Sequence, residues 1–211
     1  GKKIAKAFDL SCDYAGTDHQ DIRKQRDGLI PYINESLQTL LSESFSSDQV
    51  VFARDAENTT NLPEKYWLFD ALCSPVNMDH QIPLISISLC FVEGRHTTHA
   101  VVYNPISDEV FSASRGDGAQ YNHRRLRHNP KHAISMLFYE QGASSDFDLT
   151  HLKVRSLGSA SLSIIMTAAN RGDICLLPTS LLNQPFLNAA KLIAREAGLN
   201  FFKKDNGVTW I

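Results

Sequence analysis

The feature that most limits the fold of this chain is a run of short strand-like segments between Ile82 and Tyr121. Leu84 to Glu93, His99 to Asn104 and Glu109 to Ser114 are separated by the turn groups Glu93-Gly94 and Asn104-Pro105, and Gly116 and Gly118 bracket Asp117 in a further turn before Ala119 and Tyr121. Connections this short can join only antiparallel neighbours, so the segment reads as a meander. Upstream, Ile33, Leu37, Leu40 and Leu41 recur at helical spacing and predict a helix from Ile30 to Phe45. Pro31 falls in its first turn and Glu35, Gln38 and Glu43 lie on its outer face. Val50 to Ala53 and Tyr66 to Phe69 read as strands around a polar loop, Arg54 to Glu64, that carries Asn58, Thr59, Thr60, Asn61 and Pro63.

After the meander the period changes. A basic connector, Arg124 to Lys131, leads into a predicted strand (Ala133 to Tyr139), a helix (Ser159 to Asn170), a strand (Asp173 to Leu177) and a helix (Phe186 to Ala197) that Gly198 ends. Strands alternating with helices imply an α/β lobe. The expected organisation is one compact two-lobed domain, with residues 1–130 as an N-terminal α+β lobe built on an antiparallel sheet and residues 131–211 as a C-terminal α/β lobe. No internal repeat or low-complexity tract is present.

The 211 residues carry a formal charge of −2, so nothing global draws the chain to nucleic acid or anionic membrane, and 43% hydrophobic content argues against disorder. Cys12, Cys73, Cys90 and Cys175 are widely spaced, with no C-x-x-C pair and no secretory leader. That usage leads us to expect a cytoplasmic protein with reduced thiols. The longest apolar stretch, Ile82 to Val92, is too short to span a bilayer.

Trp67-Leu68-Phe69-Asp70 followed by Ala71-Leu72-Cys73-Ser74-Pro75-Val76-Asn77 is similar, with its centre altered, to W-x-x-D-P-x-D-G-T-x-N, the signature of the inositol monophosphatase-like superfamily, and three further segments resemble the same family. Ser114-Arg115-Gly116-Asp117-Gly118-Ala119 with Tyr121-Asn122 resembles K/R-G-x-G-A-x-x-N, and Val154-Arg155-Ser156-Leu157-Gly158-Ser159-Ala160 resembles V-R-S-x-G-S-A. Phe186-Leu187-Asn188-Ala189-Ala190, leading to Arg195-Glu196-Ala197-Gly198, is similar to the helix that reads W-D-x-A-A and ends R-E-A-G. Four motifs in order are far more specific than one. The resemblance, from about Ile30 to Gly198, implies a mixed α/β fold, a layered αβαβα sandwich with the antiparallel sheet first. It also implies a homodimer. Relatives of this type are longer, so much of the first helix and the last strand and helix are expected to be missing, with another chain completing the second lobe.

The chemistry that the resemblance implies is hydrolysis of a phosphate monoester by Mg²⁺ ions held on carboxylates, because hard cations take oxygen ligands. Matched residue by residue, the ligand Glu of the family's E-E pair falls on Arg54, with Asp55 beside it. The first signature Asp is kept as Asp70, the second becomes Cys73, and the Asp of W-D becomes Phe186. The phosphate-holding G-T step becomes Ser74-Pro75, in which Pro75 removes an N–H donor and a hydroxyl together, and the ring-hydroxyl Glu of inositol-specific members falls on Thr179. A guanidinium 4 Å from a divalent ion costs about 8 kcal/mol at an effective dielectric of 20. The expectation is therefore no catalytic residue, no metal and no cofactor, with Mg only under an alternative in which Asp55, Glu57 or Asp79 serve as ligands. Arg54 is expected to pair with Asp70 in place of the metal.

The leading expectation is a catalytically inactive inositol monophosphatase-like protein that serves as an interaction, assembly or regulatory module, in a homo-oligomer or with a protein partner and away from membranes. The alternatives are a divergent Mg-dependent phosphomonoesterase acting on an inositol, sugar or nucleotide phosphate, and an RNA-binding accessory factor. The last would use the basic patch Arg124, Arg125, Arg127 and Lys131, with His128, His132 and Tyr121 nearby. A solvated hairpin and linker is the favoured reading of that run. His96 and His99 near Cys90 suggest zinc, but strand spacing sends the two imidazoles to opposite faces. Cys73 beside Asp70, with His80 further on, suggests a thiol nucleophile, yet no oxyanion-hole glycine accompanies it. Ile164, Ile165, Met166, Ala168, Ala169, Leu192 and Ile193 are expected to be core.

Overall fold

The computed structural model describes residues 2–12, 19–45, 49–57, 59, 61–129, 134–143, 150–203 and 208–210. Two helices come first, α1 (Lys2–Cys12) and α2 (His19–Ser44). Ile4 and Phe8 of α1 are buried, and Leu29, Ile30 and Ile33 of α2 pack on the same cluster with Leu72, Met78 and Ile85. Helix α2 thus begins before the predicted Ile30, and Pro31 lies inside it instead of in its first turn. An internal proline removes a backbone bond and crowds the preceding turn. Burial of Ile22 to 1% exposure and anchoring of Arg26 elsewhere in the fold hold the turns on its N-terminal side, so tertiary contacts outweigh the local preference.

Strand β1 (Gln49–Phe52) leads into one helical turn, α3 (Ala53–Ala56), where a wholly polar loop was expected. It runs parallel to β2 (Lys65–Cys73), which is followed by the short α4 (Pro75–Asp79). The meander β3 (Ser86–Glu93), β4 (His96–Asn104), β5 (Glu109–Ser114), β6 (Gly118–Tyr121) and β7 (Arg124–Leu126) completes a seven-stranded sheet in the order β1 to β7. One transverse row pairs Leu68, Cys90, Ala100, Ala113 and Ala119 across consecutive strands, all pointing inward. The alanines in that row leave space for a helix to lie close to the sheet.

The first half of the expected basic connector is therefore strand, a correction that follows from the inward anchor Leu126, 7% exposed, between the outward Arg125 and Arg127. Beyond it His128 N–H donates to the Ala197 carbonyl at 2.7 Å, and the Asn170 Nδ2 amide donates to the Arg127 carbonyl at 2.8 Å. That tethering replaces the loose linker expected there. Lys131 and His132 lie outside the described residues.

The chain continues as β8 (Met136–Tyr139), β9 (Lys153–Arg155), α5 (Ala160–Ala168), β10 (Ile174–Pro178), the turn α6 (Thr179–Leu182), a 3-10 turn at Pro185–Leu187 and α7 (Asn188–Glu196), then β11 (Phe202–Lys203) and β12 (Val208–Trp210). Ser159 caps α5 by accepting from Leu162 N–H at 3.4 Å. The second sheet has the order β11-β12-β10-β8-β9, with β8, β9 and β10 parallel. Phe138, Cys175 and Leu177 face α5 and α7 in the main core, while Leu137 and Leu176 face a smaller outer cluster. Helices α1 and α2, the first sheet, helices α5 and α7, and the second sheet stack in that order, the mixed α/β fold expected, with four layers of the αβαβα sandwich among the described residues. Ile164, Ile165, Ala168 and Ile193 are completely buried between the sheets.

Candidate functional site

The first three positions taken for metal ligands meet on one side of the first sheet, where α3, the C-terminal end of β2, α4 and the Pro185–Leu187 turn converge. A cleft of about 320 Å³ opens there, lined by Arg26, Asn34, Arg54, Asp55, Asp70 and Pro75 among others. Between Asp70 and Cys73 the pairing with β3 slips from Ser88 to Ser86, so β2 carries an extra residue. Residues three apart on a regular strand point to opposite faces, and the bulge turns these two toward each other. The Cys73 thiol donates to Asp70 Oδ2 at 2.8 Å, and Leu72 N–H donates to Oδ1 at 3.3 Å.

Burial pushes the Asp70 carboxyl up from the usual carboxylate range, against the hydrogen bonds from Cys73 and Leu72 and the positive charge of Arg54. Burial, then the Asp70 charge and hydrogen bond, push the Cys73 thiol well above its ordinary value. A thiol held protonated is a donor to the carboxylate and not a nucleophile. The expected Arg54–Asp70 ion pair is a correction. Asp70 takes its hydrogen bonds from the thiol and a backbone N–H, while the exposed Arg54 guanidinium keeps its hydration and acts on Asp70 only through space.

Ser74 follows at φ 76°, in the left-handed region, and Pro75 is the first residue of α4. Asn77 donates from Nδ2 to the Leu84 carbonyl at 2.7 Å and to the Leu157 carbonyl at 2.8 Å, which ties the cleft to the start of α5. A Cβ on Gly158 would lie 2.7 Å from Asn77 Oδ1, so that contact admits only glycine. Phe186 packs against the main core, and its carbonyl accepts from Ser88 Oγ at 3.5 Å. Thr179 opens α6 and does not line the cleft.

Asp79 is committed elsewhere. Arg26 Nη1 reaches both of its oxygens at 2.6 Å and Arg23 Nε lies 3.2 Å from Oδ2, with the carboxylate buried. Sequence reasoning missed this clamp because the two arginines sit more than fifty positions upstream. Asp55 and Glu57 are exposed. Among the described residues, no group of three or more His, Cys, Asp or Glu side chains could hold a metal ion. His96 and His99 line different clefts on opposite faces of the first sheet, and Cys90 is buried with its thiol pushed up to about 12. Arg124, Arg125 and Arg127 are exposed at the far edge of that sheet. Among the described residues, no helix is long and apolar enough to cross a membrane.

The sequence model described as "Inositol monophosphatase family" matches residues 2–208. The chain is 34% identical over 121 residues to "Inositol-1-monophosphatase" of Rhizobium meliloti, an alignment covering 51% of this chain and 46% of that protein. It is 27% identical over 177 residues to "Nus factor SuhB" of Escherichia coli K12, covering 75% of this chain and 64% of that one. The chain thus spans between about half and two thirds of the length of these curated relatives. Among solved structures, the extragenic suppressor protein suhB from Bartonella henselae superposes with a TM-score of 0.74 at 20% identity, covering 99% of this chain and 88% of that one.

Proposed function

The chain belongs to the inositol monophosphatase family, and from that premise we propose that it is a member without phosphatase activity, kept as an interaction, assembly or regulatory module. The observation that carries the reading is the Cys73 thiol bonded to the Asp70 carboxylate at 2.8 Å. Where the family resemblance implies two carboxylates sharing metal ions, a neutral donor already satisfies the remaining one.

The donor set does not fit a pair of magnesium ions. Asp70 is the one carboxylate among the four principal ligand positions, Cys73 offers a soft protonated sulfur, Phe186 has no side-chain lone pair, and Arg54, beside the exposed Asp55, puts a fixed cation on the same cleft. Pro75 offers no N–H for a phosphate oxygen. Replacing ions with an internal hydrogen bond also removes a cost, since unpaired buried carboxylates are strongly unfavourable.

The runner-up is a divergent metal-dependent phosphomonoesterase, favoured by the similarity to proteins named inositol-1-monophosphatase. Relatives named Nus factor SuhB carry the name of a factor, which favours the module reading, with a protein partner or the exposed arginines of β7 as the contact. One assay separates the first two: phosphate release from a panel of monoesters with Mg²⁺ or Mn²⁺, on the parent chain and on Asp70→Asn. No turnover in either is expected. Metal-dependent turnover that vanishes in Asp70→Asn overturns the proposal, as does an ion seated beside Asp70 in a crystal soaked in Mn²⁺. Salt-dependent binding to RNA that is lost in Arg124→Ala/Arg125→Ala would favour the RNA-contacting form of the module.

A further inference from the structure

A second concavity, of about 480 Å³, lies at the other end of β2, between α7 and the β3–β4 and β5–β6 turns. Tyr66 lines it, four residues before Asp70, so with a rise of about 3.3 Å per residue the two sites are roughly 13 Å apart. Tyr66, Val92 and Leu192, all buried, form its apolar floor. Its walls carry four cations and one carboxylate: Arg95, with His96 beside it, comes from the β3–β4 hairpin, Arg115 from the β5–β6 hairpin, and Lys191, Arg195 and the acidic Glu196 from α7.

The acidic groups nearby are occupied. Glu196 accepts from Gly116 N–H and Gly118 N–H at 3.0 Å each, bracing the turn that carries Arg115. Glu93 is paired with Lys65 at 2.8 Å. Lys191 Nζ donates to the Leu182 carbonyl at 3.1 Å, and Arg195 lies over the Phe201 ring at 4.8 Å. Arg95, His96 and Arg115 make no side-chain hydrogen bond or ion pair among the described residues. Burial, and then the charge of Arg195, bring the Lys191 ammonium down to about 8. Four cations against the single carboxylate of Glu196 leave this concave surface with a net positive charge, and its concavity focuses the potential.

The geometry points to a binding site for a diphosphate group, free or at the end of a nucleotide, held between α7 and the two hairpin turns. Phosphoryl oxygens accept bidentately from the Arg115 and Arg95 forks on one wall and as point-charge partners from Lys191 on the other. Two linked phosphoryl groups offer more oxygens to cations on two walls than a single phosphate does, and the volume lies within the range for small-molecule sites. The site is separate from the Asp70 cleft and does not depend on whether that cleft is catalytic.

Calorimetric titration of the whole chain tests this, in EDTA at matched ionic strength, with inorganic pyrophosphate and ADP as separate probes. Pyrophosphate is expected to bind at least about tenfold tighter than inorganic phosphate, and Arg115→Ala or Lys191→Met to weaken it by about tenfold or more. Asp70→Asn and Arg124→Ala/Arg125→Ala are expected to leave it unchanged. Without ligand, Lys191→Met is expected to raise Tm, because it removes a buried charge that has no anion, and to lose the Tm rise that pyrophosphate gives the parent. Binding of pyrophosphate alone assigns the free ion, and tighter binding of ADP assigns a nucleotide; either supports the site. No binding of either probe at low salt overturns it. So does equal loss in the Arg124/Arg125 variant, or an RNA oligonucleotide that binds through Arg115 and Lys191 when pyrophosphate does not.

Discussion

The two ends of β2 treat charge in opposite ways. At the C-terminal end the buried ionisable groups and the Asn77 amide have internal partners, the Cys73 thiol on Asp70, Arg26 and Arg23 on Asp79, Asn77 on two carbonyls, while the buried hydroxyls of Ser86 and Ser161 stay without one among the described residues. At the N-terminal end Arg95, Arg115, Lys191 and Arg195 face a shared space in which Glu196, bonded to two backbone N–H groups, is the one acidic lining residue among those described. Substitution should therefore hurt the first region, where partners depend on each other, and relieve the second, where like charges are crowded. A self-satisfied cleft has little left to offer a ligand, and an uncompensated one has much.

The severest test of the first half of that contrast is Asp79→Ala, which takes from the Arg26 guanidinium, itself 15% exposed, its buried partner and leaves it only the exposed Asp27. A loss of about 3 kcal/mol is expected in urea unfolding, and a loss below 1 kcal/mol would mean that the clamp is ordinary surface pairing. Next comes Cys73→Asp, which sets two carboxyls at a spacing now bridged by a thiol. It is expected to cost about 2 kcal/mol at pH 7 and less at pH 5, where the pair shares a proton. Recovery on adding Mn²⁺, with Arg54 still in position, would contradict the loss of metal binding.

Ser74→Gly should act the other way. The left-handed backbone at φ 76° costs a residue with a Cβ about 1 kcal/mol that glycine does not incur, so thermal unfolding is expected to shift upward. The smallest effect is expected from Asp70→Asn. Because the Asp70 carboxyl is raised, the folded chain holds a proton that the unfolded chain releases near ~3.9. The support from that carboxyl is complete below the unfolded value and is lost as pH rises through the folded one. The variant should match the parent in acid and gain on it toward neutrality in a series of urea melts. A constant difference across that range would remove the role given to burial.

Much of this was legible in the sequence wherever the signal was local. The turn groups marked the meander, Ser159 marked the start of α5, and the signature residues brought Arg54, Asp70 and Cys73 to one cleft. The sequence predicts too short an α2 because Pro31 is a local breaker, while the contacts that overrule it, Arg26 with Asp79 and the burial of Ile22, depend on residues distant in sequence. The Arg54–Asp70 pair was expected because spacing shows which residues share a site but not which of them keeps its water. Charge taught the same lesson. The dense run around Arg124 attracts notice and lies spread along a sheet edge, whereas Arg95, Arg115, Lys191 and Arg195 are scattered over a hundred positions and only the fold gathers them.

Cys73, Cys90 and Cys175 are all sealed from solvent, Cys73 beneath the Asp70 cleft, Cys90 under the sheet that floors the cationic one, and Cys175 on the second sheet. Each is therefore an internal clock. A thiol-modifying reagent can reach it only while the surrounding layer is open, so the labelling rate of each sulfur times the opening of the layer that covers it, with no residue having to be introduced.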